Sequence, residues 1–336
     1  MGWAAAGFLA VAWLAFFPGL YDSGPFNWAL LSLLAAGYAA DWIVRSWRER
    51  APFDAPAGIA LGLLGWCALS LFWSVDWRNG LSGLIYAGVC FTLFCWARAE
   101  TVQRAVILGS LGACVLLFWP ATVGGFGNPN FLAEFLIAGL PFLAVSRYGK
   151  YLALIAALVL MFQVDALIGA VVGGTFTPAT SLGYRLELWG GTLLMWADSP
   201  FIGQGLGSFD YLFPFYAPDT ELLSDPDKFA GAAHNDFLQL LAELGLIGAG
   251  LVVWLLRQIR RPRTSLEWAA LASLGLTGCL ALIGFPLQNP ATASLAALSL
   301  GLLARPARWS LSLMQSARWR HTWLSQPPPM PSLPIL

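Results

Sequence analysis

Along most of the chain, apolar positions run for about 15 to 22 residues and then give way to short polar or basic stretches. A helix rising ~1.5 Å per residue needs about 20 such residues to cross ~30 Å of hydrocarbon. The pattern predicts about ten spans, near 3–20, 27–44, 57–73, 80–97, 105–122, 130–146, 151–172, 236–256, 265–284 and 290–304. The seventh is interrupted by Asp165 and glycines, and the tenth is short. One long polar stretch, about 173–235, separates the seventh from the eighth. Within it Leu186, Trp189, Leu193 and Trp196 recur at i, i+3, i+7 and i+10. That spacing predicts a helix over about Tyr184 to Ala197 with one apolar stripe, lying in the interface plane rather than crossing it. The expected fold is all-α: a single polytopic membrane domain over 1–304, with a large loop carrying an interfacial helix. Residues 305–336 form a basic and then Pro-rich tail, expected on the inner leaflet.

Basic residues orient this arrangement, because they concentrate on the cytoplasmic side. With both termini inside, Arg45, Arg48, Arg50, Arg98, Arg104, Arg147, Lys150, Arg257, Arg260, Arg261, Arg263, Arg305, Arg308, Arg318 and Arg320 are cytoplasmic, and only Arg78, Arg185 and Lys228 are outside. The 173–235 loop is therefore expected on the outer face, periplasmic in a bacterial inner membrane. Composition agrees with a membrane protein: 58% of residues are hydrophobic and 11% charged, against roughly 25% charged in soluble domains. The net charge of zero and the absence of a basic stripe give no support for a nucleic-acid partner. Seventeen Trp suit the interfacial belts of a many-span protein. All five Cys lie inside apolar runs without CxxC spacing, as structural thiols do. The N-terminus lacks a basic n-region, so 3–20 reads as a retained span.

Candidate chemistry collects on the expected outer face. The stretch Gly231 to Gly248 begins in a polar loop with His234 and continues into the eighth span. Asp236 and Gln239 have capping-box spacing, which predicts a helix start at or beside Asn235. His234 then precedes a helix N-terminus, whose positive dipole end disfavours imidazolium and leaves a neutral base. A capping or packing role is the bland alternative. Asp236, Gln239 and Glu243 follow on one helix face, and a carboxylate two turns into a span must face protein or water. Arg185 is suited to an anionic lipid headgroup, because its planar fork matches phosphate oxygens; a salt bridge to Glu187 or Asp198 is the alternative. At the start of the sixth span, Asn128 and Asn130 flank Pro129, Asn130 is a good N-cap, and Glu134 sits one turn inside. Gly203, Gly205 and Gly207 permit tight turns, and the acidic, aromatic stretch from Asp210 to Asp227 is either a solvated loop or a lid contacting carbohydrate. Two His do not make a typical zinc site, and Walker A, HExxH and GxSxG motifs are absent from the sequence.

Five segments together resemble the O-antigen ligase family, membrane glycosyl transferases that also include Wzy-type polymerases and bacterial O-oligosaccharyltransferases. They are Gly127-Asn-Pro-Asn-Phe-Leu-Ala133, Tyr184-Arg-Leu-Glu-Leu-Trp189, Asp198-Ser-Pro-Phe-Ile-Gly-Gln-Gly-Leu-Gly-Ser-Phe209, His234-Asn-Asp-Phe-Leu-Gln-Leu-Leu-Ala-Glu-Leu-Gly245 and Phe285-Pro-Leu287. The resemblance implies an undecaprenyl-diphosphate-linked glycan donor, a lipid or saccharide acceptor, and transfer at the periplasmic face without metal or nucleotide cofactor. It matches Arg185 to the arginine that binds the donor diphosphate, and His234 to the histidine that activates the acceptor hydroxyl. Asn128, Asn130, Glu134, Asp236, Gln239 and Glu243 are the candidate substrate-binding residues around them. Two features depart from the family pattern. A Ser-Arg pair usual upstream of Arg185 is replaced by Val164-Asp-Ala-Leu-Ile-Gly-Ala170, and about twelve spans are usual rather than ten. A polymerase that takes a second repeat unit as acceptor fits the same residues. A transporter or non-catalytic scaffold is the reading from another class, although polar residues gathered at one surface without internal repeats speak against transport.

Overall fold

A computed structural model of the chain describes residues 54–98, 129–145, 178–218 and 231–304, with Ser32 and Tyr151. Among the described residues are eight helices and no strand: α1 (Ala55–Ser70), α2 (Trp77–Ala97), α3 (Pro129–Ala144), α4 (Pro178–Ala197), α5 (Phe209–Tyr216), α6 (Asp236–Leu256), α7 (Ser265–Leu280) and α8 (Pro290–Leu303). Six of them answer to expected spans, and two, α2 and α6, are long and apolar enough to cross a membrane unaided. The spans expected near 3–20, 27–44, 105–122 and 151–172 lie outside the described residues apart from Ser32 and Tyr151, as do 219–230 and the tail.

Local chemistry sets the helix ends. Asp54 caps α1 by accepting from Ala57 N–H at 3.2 Å, and Asp76 caps α2 through Asn79 N–H at 3.2 Å. Asn289 caps α8, with Pro290 in the first turn where its missing N–H costs nothing. A reciprocal capping box forms at α7 between Thr264 and Glu267. At α6 the start is where the sequence put it, but the device is different. Asn235 itself accepts from Phe237 N–H at 3.1 Å and Leu238 N–H at 3.0 Å, while Gln239 reaches back past the cap to Ala233 N–H. Asn130 is likewise not a cap: α3 already includes Pro129, which places Asn130 inside the first turn.

The bundle packs α2 on α8, α3 on α7, α7 on α8, and α6 on α1 and α4. At one end Arg98 joins three helix termini, donating to Asp54 at the head of α1 and to the carbonyl of Ala304 beyond α8. At the other end the loop 200–207 seals a break in α6. Gly245 sits there at φ 64°, and the helix exchanges backbone hydrogen bonds with the loop. Leu246 and Ile247 N–H donate to the carbonyls of Pro200 and Phe201, while Gln204 and Gly205 N–H donate to those of Ala242 and Glu243. A Cβ at Gly203 (φ 71°) would lie 2.3 Å from the Glu243 carbonyl oxygen, so only glycine permits this approach. The indoles of Trp66 and Trp73 donate to the carbonyls of Leu244 and Gly203, so the interruption leaves no orphaned backbone group at these positions. The sequence pattern reads as one unbroken span because the partners that compensate the break are about forty residues away.

α4 runs through the expected 184–197 segment, but only half of the predicted stripe is packed: Trp189 and Trp196 lie against the core cluster, Leu186 and Leu193 do not. Leu188, Thr192 and Met195 are fully buried, with Phe213 of α5 against them, whereas Leu186 is 55% and Leu193 44% exposed. Leu186 and Leu193 thus face away from the protein. The stretch read as an open loop after Asp210 begins as α5, where Phe209 and Phe213 stack at 5.0 Å and Tyr216 Oη donates to Asp198 at 2.6 Å.

Candidate functional site

The end of the bundle that carries the start of α6 also carries Arg185, one residue after Tyr184 on α4, and Glu134 on α3. His234 occupies the residue before the α6 cap with φ 50°, the one non-glycine with positive φ among the described residues. Such a conformation is uncommon outside glycine, although His is among the residues enriched in it, and it persists where the flanks hold it. Here the flanks are held on both sides. Ala233 N–H is bound by Gln239, Asn235 Nδ2 donates to the Leu282 carbonyl at 3.0 Å, and Asp236 N–H to the Ala281 carbonyl at 2.9 Å.

The imidazole stands edge-to-face between two aromatic rings, Phe285 at 4.6 Å and Tyr184 at 6.4 Å between centroids. Among the described residues it has no hydrogen-bond partner. Burial first, and the Arg185 cation second, push its pKa down to about 4. His234 is therefore uncharged at neutral pH, as the sequence suggests, with partial burial and a neighbouring guanidinium as causes. Arg185 is half-buried and close enough to interact electrostatically with both His234 and Glu134. No carboxylate of the described residues pairs with it, and Asp198, one of the partners considered for it, is engaged by Tyr216.

The acidic and amide groups around His234 have distinct placements. Asp236 accepts from Leu287 N–H at 2.9 Å, and Gln239 accepts from Gln288 Nε2 at 3.0 Å. Both contacts tie α6 to the turn between α7 and α8. Glu134 lies against the same turn, with Oε1 packed on Gly284 and Oε2 buried without a partner. An unpartnered buried carboxylate oxygen is costly and marks a position where a ligand or proton is expected. Glu243 lies one turn beyond Gln239 and meets the site through it. It is buried two turns down α6, where Oε2 accepts from Gly207 N–H at 3.0 Å and Oε1 from Gln239 Nε2 at 3.3 Å. Its work is to fasten the 200–207 loop across the helix break. Asn128 lies outside the described residues, and of Asn130 only the backbone is described.

Glu134, Arg185, His234, Asp236 and Gln239 are thus brought together, from three helices distant in sequence. Sequence reasoning missed Tyr184, Phe285, Leu287 and Gln288, which contact His234, Asp236 and Gln239 directly. The Phe-Pro-Leu segment was visible, but a Pro-bounded turn is a sufficient local explanation for it, and nothing local shows what its side chains meet. Trp189, one turn after Arg185, keeps a buried indole N–H without a partner.

The arrangement offers a guanidinium for a phosphate-like anion beside an unprotonated imidazole, at the end of an apolar helical bundle. Neither a curated protein nor a solved structure matches the chain. A family model described as O-antigen ligase matches residues 57–253, more than half of the chain, from α1 through most of α6. The chain belongs to the O-antigen ligase family, integral membrane proteins with ligase- or polymerase-like glycosyltransferase activity.

Proposed function

We propose that this protein transfers a saccharide from undecaprenyl diphosphate to an acceptor sugar hydroxyl at the periplasmic face of the inner membrane. Arg185 grips the donor diphosphate. His234 takes the proton of the acceptor hydroxyl as its oxygen attacks the anomeric carbon. The bond between that carbon and the phosphate oxygen breaks with inversion, and its electron pair leaves with the diphosphate. The charge that grows on the leaving group is opposed by a guanidinium already in place, which stabilises the transition state more than the ground state. Glu134, Asp236 and Gln239 serve the acceptor side, and Asn128 and Asn130 are assigned to substrate binding from the sequence alone. Neither metal nor nucleotide enters the step.

The observation that carries this reading is the pairing of an uncharged, hydrogen-bond-free imidazole with a cation that has no carboxylate partner among the described residues. A core histidine serving only packing would not need the guanidinium, and a structural arginine would be expected to find a carboxylate. The test is transfer in vitro from a purified lipid-diphosphate glycan by wild type and His234→Ala, both in membranes. Loss of a positioned base is expected to lower the rate by about 10²- to 10⁴-fold. Wild-type rates in the variant would end the proposal. Supplying the lipid-linked glycan alone, or with a separate acceptor, distinguishes chain growth from ligation.

A further inference from the structure

The turn between α7 and α8 touches four of the residues gathered at the site within five positions. Gly284 faces Glu134, Phe285 faces His234, Leu287 N–H binds Asp236, and Gln288 binds Gln239. At the first of these contacts a Cβ on Gly284 would come within 2.7 Å of Glu134 Oε1, so a side chain there would have to displace the carboxylate. The backbone around His234 is tied to the same segment through the carbonyls of Ala281 and Leu282. A left-handed histidine is held by its surroundings rather than by its own preference, so whatever fixes the ring must come from outside the residue.

We propose that Phe285 is a positioning residue for His234: its ring closes one side of the imidazole, fixes the ring's orientation and keeps water from it. The proposal rests on the glycan-transfer reading for its catalytic consequence, but the contact has a readout of its own. Carboxylates are the usual orienting partners of a catalytic histidine, and among the described residues none bonds to the ring: Asp236 is engaged by Leu287, Glu243 by Gly207, and Glu134 Oε2 is left without a partner. Two aromatic rings take that place. Edge-to-face packing suits an uncharged imidazole, since it supplies no charge to stabilise a proton. The charged or titratable groups around the ring are Tyr184 and Arg185 from α4, Asp236 from α6, and Glu134 from α3, which interacts with Arg185 and Asp236. The segment from Ala281 to Pro290 contributes no ionisable side chain. Removing Phe285 therefore changes water access while leaving the local charges in place.

The experiment follows the His234 ring by NMR in a His321→Gln background, where one histidine remains, alongside in vitro transfer. Phe285→Leu and Phe285→Ala are expected to raise the titration midpoint by about one unit toward the ordinary value, as water reaches the ring. Their kcat is expected to fall by up to about 10²-fold with little change in KM, as for a misplaced catalytic group. Phe285→Tyr retains an aromatic edge and should restore both. Trp268→Leu, an exposed aromatic in the first turn of α7, should alter neither. An unchanged midpoint in Phe285→Leu and Phe285→Ala overturns the proposal even if activity drops, because a general packing defect would do the same. A raised midpoint in a protein whose wild type transfers no glycan overturns the transfer reading instead, and leaves the Phe285 contact standing.

Discussion

The two ends of the bundle handle arginine in opposite ways. Arg98, 9% exposed, meets Asp54 and the Ala304 carbonyl and so ties together three helix termini. Arg185 has no such partner among the described residues, and beside it stand an uncharged His234 and a buried Glu134 oxygen that accepts nothing. Both arginines come from apolar, helix-rich sequence, and composition does not separate them. What separates them is satisfaction. A partly buried charge that is paired and hydrogen-bonded holds structure together, whereas one left open is stable only if a ligand or water completes it.

Substituting each arginine breaks this comparison most directly. Arg185→Gln should lower transfer by about 10²- to 10³-fold, the scale of losing one stabiliser of transition-state charge. Its thermal unfolding in detergent should match wild type. Arg185→Lys should recover only part of the rate, because a point charge lacks the fork that meets two phosphate oxygens. Arg98→Ala should behave the other way round. Leaving Asp54 without its cation should cost roughly 2 kcal/mol, between the values for buried and surface pairs since Asp54 is 32% exposed. Fluorescence-detected melting would show that loss, while transfer per folded molecule stays near wild type. A stability loss at Arg185 or a rate loss at Arg98 would erase the distinction.

Glu243 sharpens the comparison at a smaller scale, because it sits near the candidate site yet behaves like the structural end. Glu243→Gln keeps the shape but replaces a carboxyl acceptor of Gly207 N–H with an amide, a change worth about 1 kcal/mol. The expected result is a modest drop in melting temperature and a rate change below about tenfold. Limited proteolysis within 200–207 should accelerate in the variant, since this loop is what the carboxylate fastens.

Helix positions were legible because hydrophobic length and capping residues are local: α6 runs over Asp236–Leu256, as the apolar run and Asn235 indicate. The three glycines of 203–207 were also legible as turn formers, each at positive φ. The break at Gly245 was not, because its compensating bonds come from Pro200 and Phe201. The α4 stripe was right for Trp189 and Trp196 and wrong for Leu186 and Leu193, for a related reason. A helix with apolar residues on two faces gives no sign of which one a neighbour covers, and α5 covers the Leu188–Met195 face. Glu243 and Phe285 illustrate the same limit at the site. Spacing placed Glu243 on the face of Asp236 and Gln239, but its acceptor role depends on a loop 36 residues away. The Phe285 contact with His234 spans a still longer interval and leaves no periodic trace in the chain.

The pH dependence of transfer is the gentlest probe, and it reports on the uncharged state of His234. A base whose folded pKa is lowered stays in its active form above that value, and loses it only as pH falls through it. With His234 near 4, about nine-tenths of the molecules keep a free imidazole at pH 5, whereas an ordinary histidine near 6.5 would keep about three per cent. Transfer should therefore fall less than about twofold between pH 7 and pH 5, with its acid limb below pH 5. Folding stability follows the same sign: between about 6.5 and 4 the unfolded chain binds the proton that the folded imidazole refuses, so stability declines as pH drops through that window. Arg185→Gln removes the smaller of the two causes and should move the acid limb upward without reaching 6.5, since burial remains. An acid limb already at 6.5 in wild type would mean that the imidazole is as open to water as any surface histidine, and that the contrast between the two ends does not extend to it.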